Sequence, residues 1–189
     1  MSSCANRILY EDNHLLAVNK LPGEIVQGDA SGDEPLSLLA SRYLKETYNK
    51  PGKVFLGIPH RLDRPSSGVV LFARTEKALS RMSVMFKQRE VTKIYWAVLD
   101  RMPPESEGEL RHFLTRNSEK NKSTALARER RGAKEGRLTY RVIGATDNYY
   151  LVEIHLLTGR HHQIRAQFAA VGCHIKGDLK YGAARSNRD

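Results

Sequence analysis

Short apolar segments, some alternating with polar residues and some continuous, recur along the chain and are typical of β-strands with one or two buried faces. In TKIYWAVL the alternation places Lys93 and Tyr95 on one face of the predicted strand and Trp96 on the other. KVFLGI and GVVLFA are continuous and rich in β-branched residues, so we predict buried strands there. The other predicted strands lie in RILYEDNHLLAVNK, on either side of a turn at residues 11–13, and in RLTYRVIG and YYLVEIHLL, which form a hairpin around ATDN.

Three segments carry apolar residues at spacings of three and four, which predicts helices. Pro35 suits the first turn of PLSLLASRYLKETY, and Thr75 can cap EKALSRMSVMFKQ. In TGRHHQIRAQFAAVG, Thr158 can cap a helix that ends at Gly172. The predicted buried stripes of the three helices are Leu36, Leu39 and Tyr43; Leu79, Met82 and Phe86; and Ile164, Phe168 and Val171.

The predicted strands and helices follow one another without a regular βαβ rhythm, which favours an α+β fold with a mixed, largely antiparallel sheet and flanking helices. With 189 residues the chain fits one compact domain or two small lobes that share a core. We predict a single domain over residues 1–189. Cys4 and Cys173 are too few for a zinc site or a disulfide framework, so we expect ordinary reduced thiols.

The formal net charge of +10 points to a polyanionic partner, and RNA is the leading candidate. The sequence has no long apolar segment, no basic amphipathic helix and no signal peptide in MSSCANRILYED, so we expect a cytoplasmic protein without a membrane partner. Many of the cations lie in residues 111–137, for which we predict a protruding hairpin or loop. Whether this segment is a solvated face or contacts RNA stays open.

The segment HRLDRPSSG, residues 60–68, places one carboxylate among cations, with Arg61 and Arg64 on either side of Asp63. It joins the two predicted buried strands KVFLGI and GVVLFA, and loops held by rigid elements are common places for catalytic groups. The alternative is a turn residue in a solvated ion pair with Arg64, which is the usual fate of such a pair.

The start of the last predicted helix carries Arg160, His161 and His162, with Arg165 one turn on. Cations are unfavourable at a helix N-terminus unless an anion neutralises them, and the anion here could be an RNA phosphate or the carboxylate of Asp63. Adjacent residues of a helix point in different directions, so the two histidines would be poor joint metal ligands. We expect them to face RNA or to be structural.

Four motifs, HRLDRPSSG, TKIYWAVL, LLTGRHHQIRAQ and GDLKYG, occur in this order and together resemble the RluA-type pseudouridine synthases, which isomerise chosen uridines in ribosomal or transfer RNA. The resemblance extends from about Ile8 to the end of the chain. It implies a catalytic domain with a central active-site cleft. Breaking the glycosidic bond and rejoining uracil through C5 involves no redox step, so no cofactor or metal is required.

The resemblance also implies roles for individual residues. Asp63 matches the catalytic aspartate, and Tyr95 matches the tyrosine that lies against the uracil ring and takes part in proton removal. Arg165 matches the basic partner of the aspartate, Arg61 matches a residue that holds open the space left by the flipped base, and Ile164 matches an apolar part of the pocket. Further RNA contacts are expected from His60, Arg64, Lys93, Arg160, His161 and His162.

The chemistry fits these roles, since a carboxylate can attack C1′ or remove a sugar proton only while it is ionised. A guanidinium in contact lowers an aspartate pKa by about 1 to 3. The target nucleotide must leave its stack, at a cost of a few kcal/mol, and Tyr95 offers a stacking surface. We therefore expect Asp63, Tyr95 and Arg165 to converge on one pocket, although the periodicity of the strand alone favours an ordinary core tyrosine.

Three features depart from the RluA-type pattern. Ser66 stands where relatives commonly have threonine, and NKLPG moves the usual proline to Pro22. Relatives continue after GDLKYG through a strand containing Leu-His-Ala, so we expect either a truncation at Asp189 or a sheet that lacks a strand. We expect no separate N-terminal S4 RNA-binding module.

Two other functions remain open. One is a catalytically silent RNA-binding protein, and the other is a ribonuclease that uses His60, His161 and Lys93 as acid and base groups. A hydrolase triad built on Ser66 and Ser67 is disfavoured because no nucleophile-elbow pattern is present. The target RNA and the modified position are not encoded in a readable pattern. A monomer is expected.

Overall fold

The computed structural model describes residues 4–187 and forms two compact units, residues 1–90 and 91–189. The first unit contains a three-stranded sheet and the second a five-stranded sheet, and neighbouring strands pair in antiparallel fashion in both. The predicted α+β class is confirmed, with two antiparallel sheets in place of one mixed sheet. Among residues 4–187, no helix has the length and apolar character needed to cross a bilayer. Asp189, the predicted truncation point, lies outside the described residues.

The first unit contains a 3₁₀ turn, three strands and two helices. They are the 3₁₀ turn Cys4–Arg7, β1 Ile8–Glu11, β2 Leu15–Lys20, α1 Leu36–Thr47, β3 Gly68–Ala73 and α2 Glu76–Gln88, and the sheet order is β1-β2-β3. Asp12 makes the turn between the first two strands, because its Oδ1 accepts hydrogen bonds from the amides of His14 and Leu15. The predicted turn at residues 11–13 is thereby confirmed.

The core of the first unit lies between its sheet and α1. Leu16 and Val18 of β2 face the same core as Phe72 of β3, and all three are fully buried. The α1 helix contributes its own buried stripe, and Thr75 caps α2 by accepting a hydrogen bond from the Ala78 amide, as predicted. The fully buried residues of α1 are Leu36, Ala40 and Leu44, while Leu39 and Tyr43 of the predicted stripe are partly buried against the same core.

The prediction of a strand in KVFLGI is wrong. Residues 53–58 form a single bridge to β3, in which Gly57 and Ala73 exchange backbone hydrogen bonds of 2.8 and 2.9 Å. Leu79 of α2 presses on this point so closely that a β-carbon at Gly57 would lie 2.8 Å from its Cδ2. Val54, Leu56 and Ile58 pack on the core without a ladder, which explains why the run is largely apolar and still irregular.

The second unit contains five strands and a helix. They are β4 Ile94–Leu99, β5 Glu107–Asn117, β6 Lys122–Leu126, β7 Lys134–Ala145, β8 Tyr150–Leu156 and α3 Gln163–Ala170, followed by a 3₁₀ turn at Leu179–Tyr181, with sheet order β4-β8-β7-β5-β6. The predicted hairpin around ATDN is confirmed as β7 and β8. The basic segment contains the hairpin of β5 and β6, and β6 is an edge strand of the sheet.

The α3 helix packs on one face of the five-stranded sheet. Phe168 is fully buried, and its ring meets the edge of Tyr140 from β7 at a centroid distance of 5.5 Å. Strand β4 alternates as predicted, since Tyr95 is half-buried and packs against this core while 68% of Trp96 is exposed.

The predicted start of the last helix is wrong, because α3 begins at Gln163 and not near Thr158. The hydroxyl of Thr158 accepts a hydrogen bond from the Arg137 amide and donates one to the side chain of Gln163, so it does not cap the helix. His162, in the left-handed region with φ of 51°, is the residue before the helix. Residues 160–162 therefore lie in a loop that precedes the helix, and not on its first turn.

Candidate active site

Lys20, at the end of β2, holds the HRLDRPSSG loop from within the first unit. Its side chain is fully buried, and its Nζ donates hydrogen bonds to the carbonyl oxygens of Leu21, Arg64 and Ser66, at 3.1, 3.0 and 2.5 Å. Burial lowers the pKa of Lys20, while the charges of Glu24 and Asp63 act in the opposite direction. The sequence interpretation missed this residue, whose one signal is a lysine at the end of an apolar strand.

Asp63 lies in a tight turn of this loop. Its carbonyl oxygen accepts a hydrogen bond from the Ser66 amide at 3.0 Å, and the next carbonyl, that of Arg64, accepts one from the Gly23 amide at 2.8 Å. The side chain of Asp63 is half-buried, whereas its neighbour Arg61 is exposed. The backbone around the carboxylate is therefore fixed by residues 20–23.

Arg64 is tied to the loop at residues 29–33. Its Nη1 lies 2.5 Å from Asp33 Oδ2, and its Nη2 donates to Ser31 Oγ at 2.7 Å and lies 3.7 Å from Asp29. The hydrogen bond from Arg64 lowers the pKa of Asp33. The ion pairs of Arg64 with Asp29 and Asp33 are solvent-exposed, whereas the alternative interpretation expected Arg64 to pair with Asp63.

His60 is part of the fold of the first unit. Its Nε2 accepts a hydrogen bond from the Leu71 amide at 2.9 Å. This amide lies on the edge of β3 that does not pair with β2. Its ring also stacks on Phe86 of α2, with centroids 5.0 Å apart. Since the Nε2 lone pair is used in this way, His60 is poorly suited to be the base of a ribonuclease.

In the second unit, Tyr95 and Ile164 lie against one apolar core. Tyr95 of β4 stands opposite Ile154 of β8, and both Tyr95 and Ile164 are partly buried at the border of the cluster that includes Phe168. The structure therefore brings two of the predicted site residues to the same apolar surface. Lys93 precedes this strand, and its Nζ would lie 3.7 Å from a β-carbon at Gly159.

Arg165 is held by Asp178 in a bidentate ion pair. Nε lies 2.7 Å from Asp178 Oδ2 and Nη2 lies 2.7 Å from Oδ1, and the exposed fractions of the two side chains are 14% and 8%. The guanidinium also lies over the ring of Tyr181 at 4.8 Å. Both partners come from GDLKYG, a motif for which the sequence reasoning assigned no individual role.

His161 and His162 stack face to face, with ring centroids 3.8 Å apart and planes inclined by 23°. The expectation that they point in different directions is wrong, because it assumed a helix where the chain forms a loop. His161 bonds to Ser123 Oγ through Nδ1 and to Asn121 Oδ1 through Nε2, while buried His162 bonds to the Tyr181 hydroxyl. Both rings therefore make structural contacts within the second unit.

Arg160 is anchored to the sheet of the second unit. Its Nε donates to the carbonyl oxygen of Glu135 on β7 at 2.8 Å, and its amide donates to Gln163 Oε1 at 3.0 Å. The side chain of Gln163 thus closes the loop that precedes α3, because the same oxygen also accepts from Thr158.

Comparison with known proteins gives a consistent family. The sequence model of the RNA pseudouridylate synthases matches residues 14–170. Ribosomal large subunit pseudouridine synthase D of Zymomonas mobilis is 31% identical, with 94% of this chain and 56% of that protein aligned. The mitochondrial pseudouridylate synthase RPUSD4 of Xenopus tropicalis is 32% identical, with 93% and 60% aligned. Ribosomal large subunit pseudouridine synthase C of Rickettsia felis is 34% identical, with 93% and 55% aligned.

The fold agrees with solved structures. Human RNA pseudouridylate synthase domain containing 4 superposes with a TM-score of 0.80 at 24% identity, covering 98% of this chain and 74% of that one. Human RNA pseudouridylate synthase domain containing 1 gives 0.72 at 28% identity, covering 94% and 70%. The chain spans between about half and three fifths of the length of these curated relatives. The resemblance to RluA-type enzymes is confirmed, and the chain belongs to the RNA pseudouridylate synthase family.

Proposed function

We propose that this protein converts specific uridines of a structured RNA to pseudouridine, with Asp63 as the catalytic carboxylate and residues 1–189 acting as one catalytic domain. The observation that carries the proposal is the anchoring of the Asp63 turn by the buried ammonium of Lys20, in a chain that belongs to this family. A turn that is held by buried hydrogen bonds keeps a reacting group in place, which the reaction requires.

The reaction is an isomerisation, so the product has the same composition as the substrate, although the hydrogen on C5 exchanges with solvent. The bond between C1′ and N1 breaks, either by attack of the carboxylate on C1′ or after removal of a sugar proton by the carboxylate. The uracil then turns and C5 bonds to C1′, which releases the carboxylate from C1′ in the first route and is accompanied by return of the proton to the sugar in the second. The proton on C5 leaves and N1 takes up a proton. Asp63 acts in its ionised form in both routes.

We propose that Tyr95 and Ile164 provide the surface for the flat uracil ring. Their positions at the border of one apolar core support this role, because such a border offers contact area to a base. In this proposal the phenol of Tyr95 also takes part in removing the C5 proton. In this proposal Arg165 acts on the same nucleotide, with its guanidinium oriented by Asp178.

RNA contacts are assigned first to the hairpin of β5 and β6 and to the loop that leads to β7. The net charge of the chain favours a polyanion, and the cations of this segment project into solvent. Arg61, Lys93 and Arg160 are assigned to phosphates near the target nucleotide. The exposed cations of the segment are Arg111, Arg116, Lys120, Arg128, Arg130, Arg131 and Lys134.

Ribosomal RNA is the favoured substrate and transfer RNA is the alternative, because several relatives are named for the large ribosomal subunit. We propose that the protein acts as a monomer and without a cofactor. The nuclease alternative is disfavoured, since His60 and His161 both use ring nitrogens in bonds that hold the fold together.

The experiment incubates the protein with ribosomal and transfer RNA transcripts made without pseudouridine, and maps pseudouridine by carbodiimide labelling beside an Asp63→Asn variant. Label at defined positions that disappears with the variant supports the proposal and identifies the substrate. Intact RNA that is bound by both proteins and never labelled would support a silent binding protein. Shortened RNA would support the nuclease.

A further inference from the structure

Asp178 engages a whole edge of the Arg165 guanidinium. The two nearly parallel contacts, both of 2.7 Å, fix the plane of the guanidinium as well as its distance from the carboxylate. Both side chains are largely buried, so water competes weakly for these hydrogen bonds. A surface ion pair would leave the arginine free to change rotamer, whereas this pair restricts it to one orientation.

Two aromatic side chains of the second unit also contact Arg165. The ring of Tyr181 lies against the guanidinium face at 4.8 Å, and Nη1 lies 3.2 Å from His162 Nε2. Because arginine can only donate, His162 Nε2 accepts this bond, and its Nδ1 therefore carries the proton that is donated to the Tyr181 hydroxyl at 3.0 Å. The Ser123 amide donates to the same hydroxyl at 2.8 Å, which ties the arrangement to β6.

Asp178 and Tyr181 are presented together by one tight backbone turn. The carbonyl oxygen of Asp178 accepts hydrogen bonds from the amides of Tyr181 and Ala183, at 3.0 and 3.1 Å. Gly182, with φ of 108°, passes so close to His174 that a β-carbon would lie 2.9 Å from its Nε2. The carboxylate and the ring that hold Arg165 are thus parts of one rigid segment.

We propose that Asp178 is a positioning residue for the isomerisation, and that it acts through Arg165. This inference rests on the proposed function, in which Arg165 acts at the reacting nucleotide. Without the carboxylate, the guanidinium keeps its charge but loses the partner that sets its plane. The rate of the chemical step then falls by about 10- to 100-fold, because a misplaced catalytic group loses orientation, while RNA affinity changes little.

The test compares Asp178→Asn with Glu109→Gln in single-turnover assays on the substrate RNA. Glu109 is a matched control because it forms a similar pair with Arg137 Nε and Nη2, at 2.7 and 3.1 Å, between more exposed side chains in the same unit. We expect Asp178→Asn to lower the rate at saturating RNA by about 10- to 100-fold with the RNA Kd within about twofold, and Glu109→Gln to retain the rate. If Asp178→Asn does not fold, Asp178→Glu is assayed in its place.

A double-mutant cycle with Arg165→Lys separates positioning from mere stabilisation. If Asp178 acts through Arg165, adding Asp178→Asn to Arg165→Lys lowers the rate by less than about threefold further. Fully additive losses, or an Asp178 variant with the wild-type rate, would overturn the role of Asp178 and leave the proposed function intact. A wild-type protein that forms no pseudouridine on any transcript would overturn the proposed function and this role with it.

Discussion

The buried ammonium of Lys20 donates hydrogen bonds to the carbonyl oxygens of both Arg64 and Ser66, and so holds the turn that contains Asp63. The lysine belongs to the last position of β2, and the turn comes more than forty residues later in the chain. The position of the candidate catalytic carboxylate therefore depends on the sheet of the first unit and on the buried ammonium of Lys20.

We predict that Lys20→Met lowers the free energy of unfolding by about 1–3 kcal/mol, because the carbonyl oxygens that Lys20 serves lose their buried donor. Pseudouridine formation should fall further than stability alone explains, since the Asp63 turn loses its anchor. Urea unfolding and single-turnover rates measure the two effects. Lys45→Met, on the exposed face of α1, is the control and should match the wild type. A Lys20→Met protein with wild-type stability and activity would show that the turn is held by other contacts.

Arg64 gives a prediction that separates two roles. If it mainly fixes the loop at residues 29–33, Asp33→Asn should reproduce the activity loss of Arg64→Gln, and each change should have only a small effect on stability because the pair is exposed. If Arg64 instead contacts RNA, only Arg64→Gln should weaken RNA binding. Filter binding and labelling rates for the two variants decide between the roles, and the structure predicts matched effects.

The basic loop between β6 and β7 is expected to contribute to the salt dependence of RNA binding. Neutralising Arg128, Arg130 and Arg131 to glutamine should weaken RNA binding and reduce the slope of log K against log salt by up to about 2, because phosphate contacts release counterions. Changing three exposed lysines of the first unit to glutamine removes the same charge and is the control; these are Lys45, Lys50 and Lys53. Equal losses in the two triple variants would mean that net charge, and not this loop, governs binding.

We expect His112 to make the stability of the protein depend on pH. Burial lowers the pKa of His112, and its Nδ1 lies 3.3 Å from the amide nitrogen of Gln167, which donates to it. In the unfolded chain the His112 side chain takes up a proton near pH 6.5, whereas in the folded chain it does so at lower pH. In that window the unfolded state binds more protons, so stability falls as the pH drops below about 6.5.

His112→Gln should therefore flatten the loss of stability below about pH 6.5, as measured by urea unfolding between neutral and acidic pH. Asn148→Gln, in an exposed turn, alters no titratable group, so it is the control and should leave the slope unchanged. A slope that His112→Gln does not alter would place the acid sensitivity in other groups.

The sequence predicted most of the strands, the caps and turns that depend on local chemistry, and the family. Asp12 and Thr75 act through backbone amides two or three residues away, and such contacts can be read from neighbouring residues. The strand prediction for KVFLGI is wrong because an apolar run that packs on a core has the same sequence pattern whether or not it forms a β-ladder. The contact between Gly57 and Leu79 exists only in the folded chain.

The contacts that position the candidate site could not be predicted in the same way. Lys20 reaches the carbonyl oxygen of Ser66 across 46 positions, and the pairing of Arg165 with Asp178 depends on a turn after α3. The start of α3 was misplaced because Thr158 resembles a helix cap, yet its hydroxyl is used by Arg137 and Gln163. Sequence patterns find residue types with suitable chemistry, but distant hydrogen bonds fix their orientation.

The most direct test of the central claim is tritium release from RNA that carries tritium at C5 of uridine. Pseudouridine formation must expel this hydrogen, whereas RNA binding and strand cleavage leave it in place. We predict release by the wild-type protein and by Asp147→Asn, an exposed-loop control, and release at least about 10³-fold slower with Asp63→Asn, since the nucleophile or base is lost. Release by Asp63→Asn within a few-fold of the wild-type rate would contradict the assignment of Asp63 as the catalytic carboxylate.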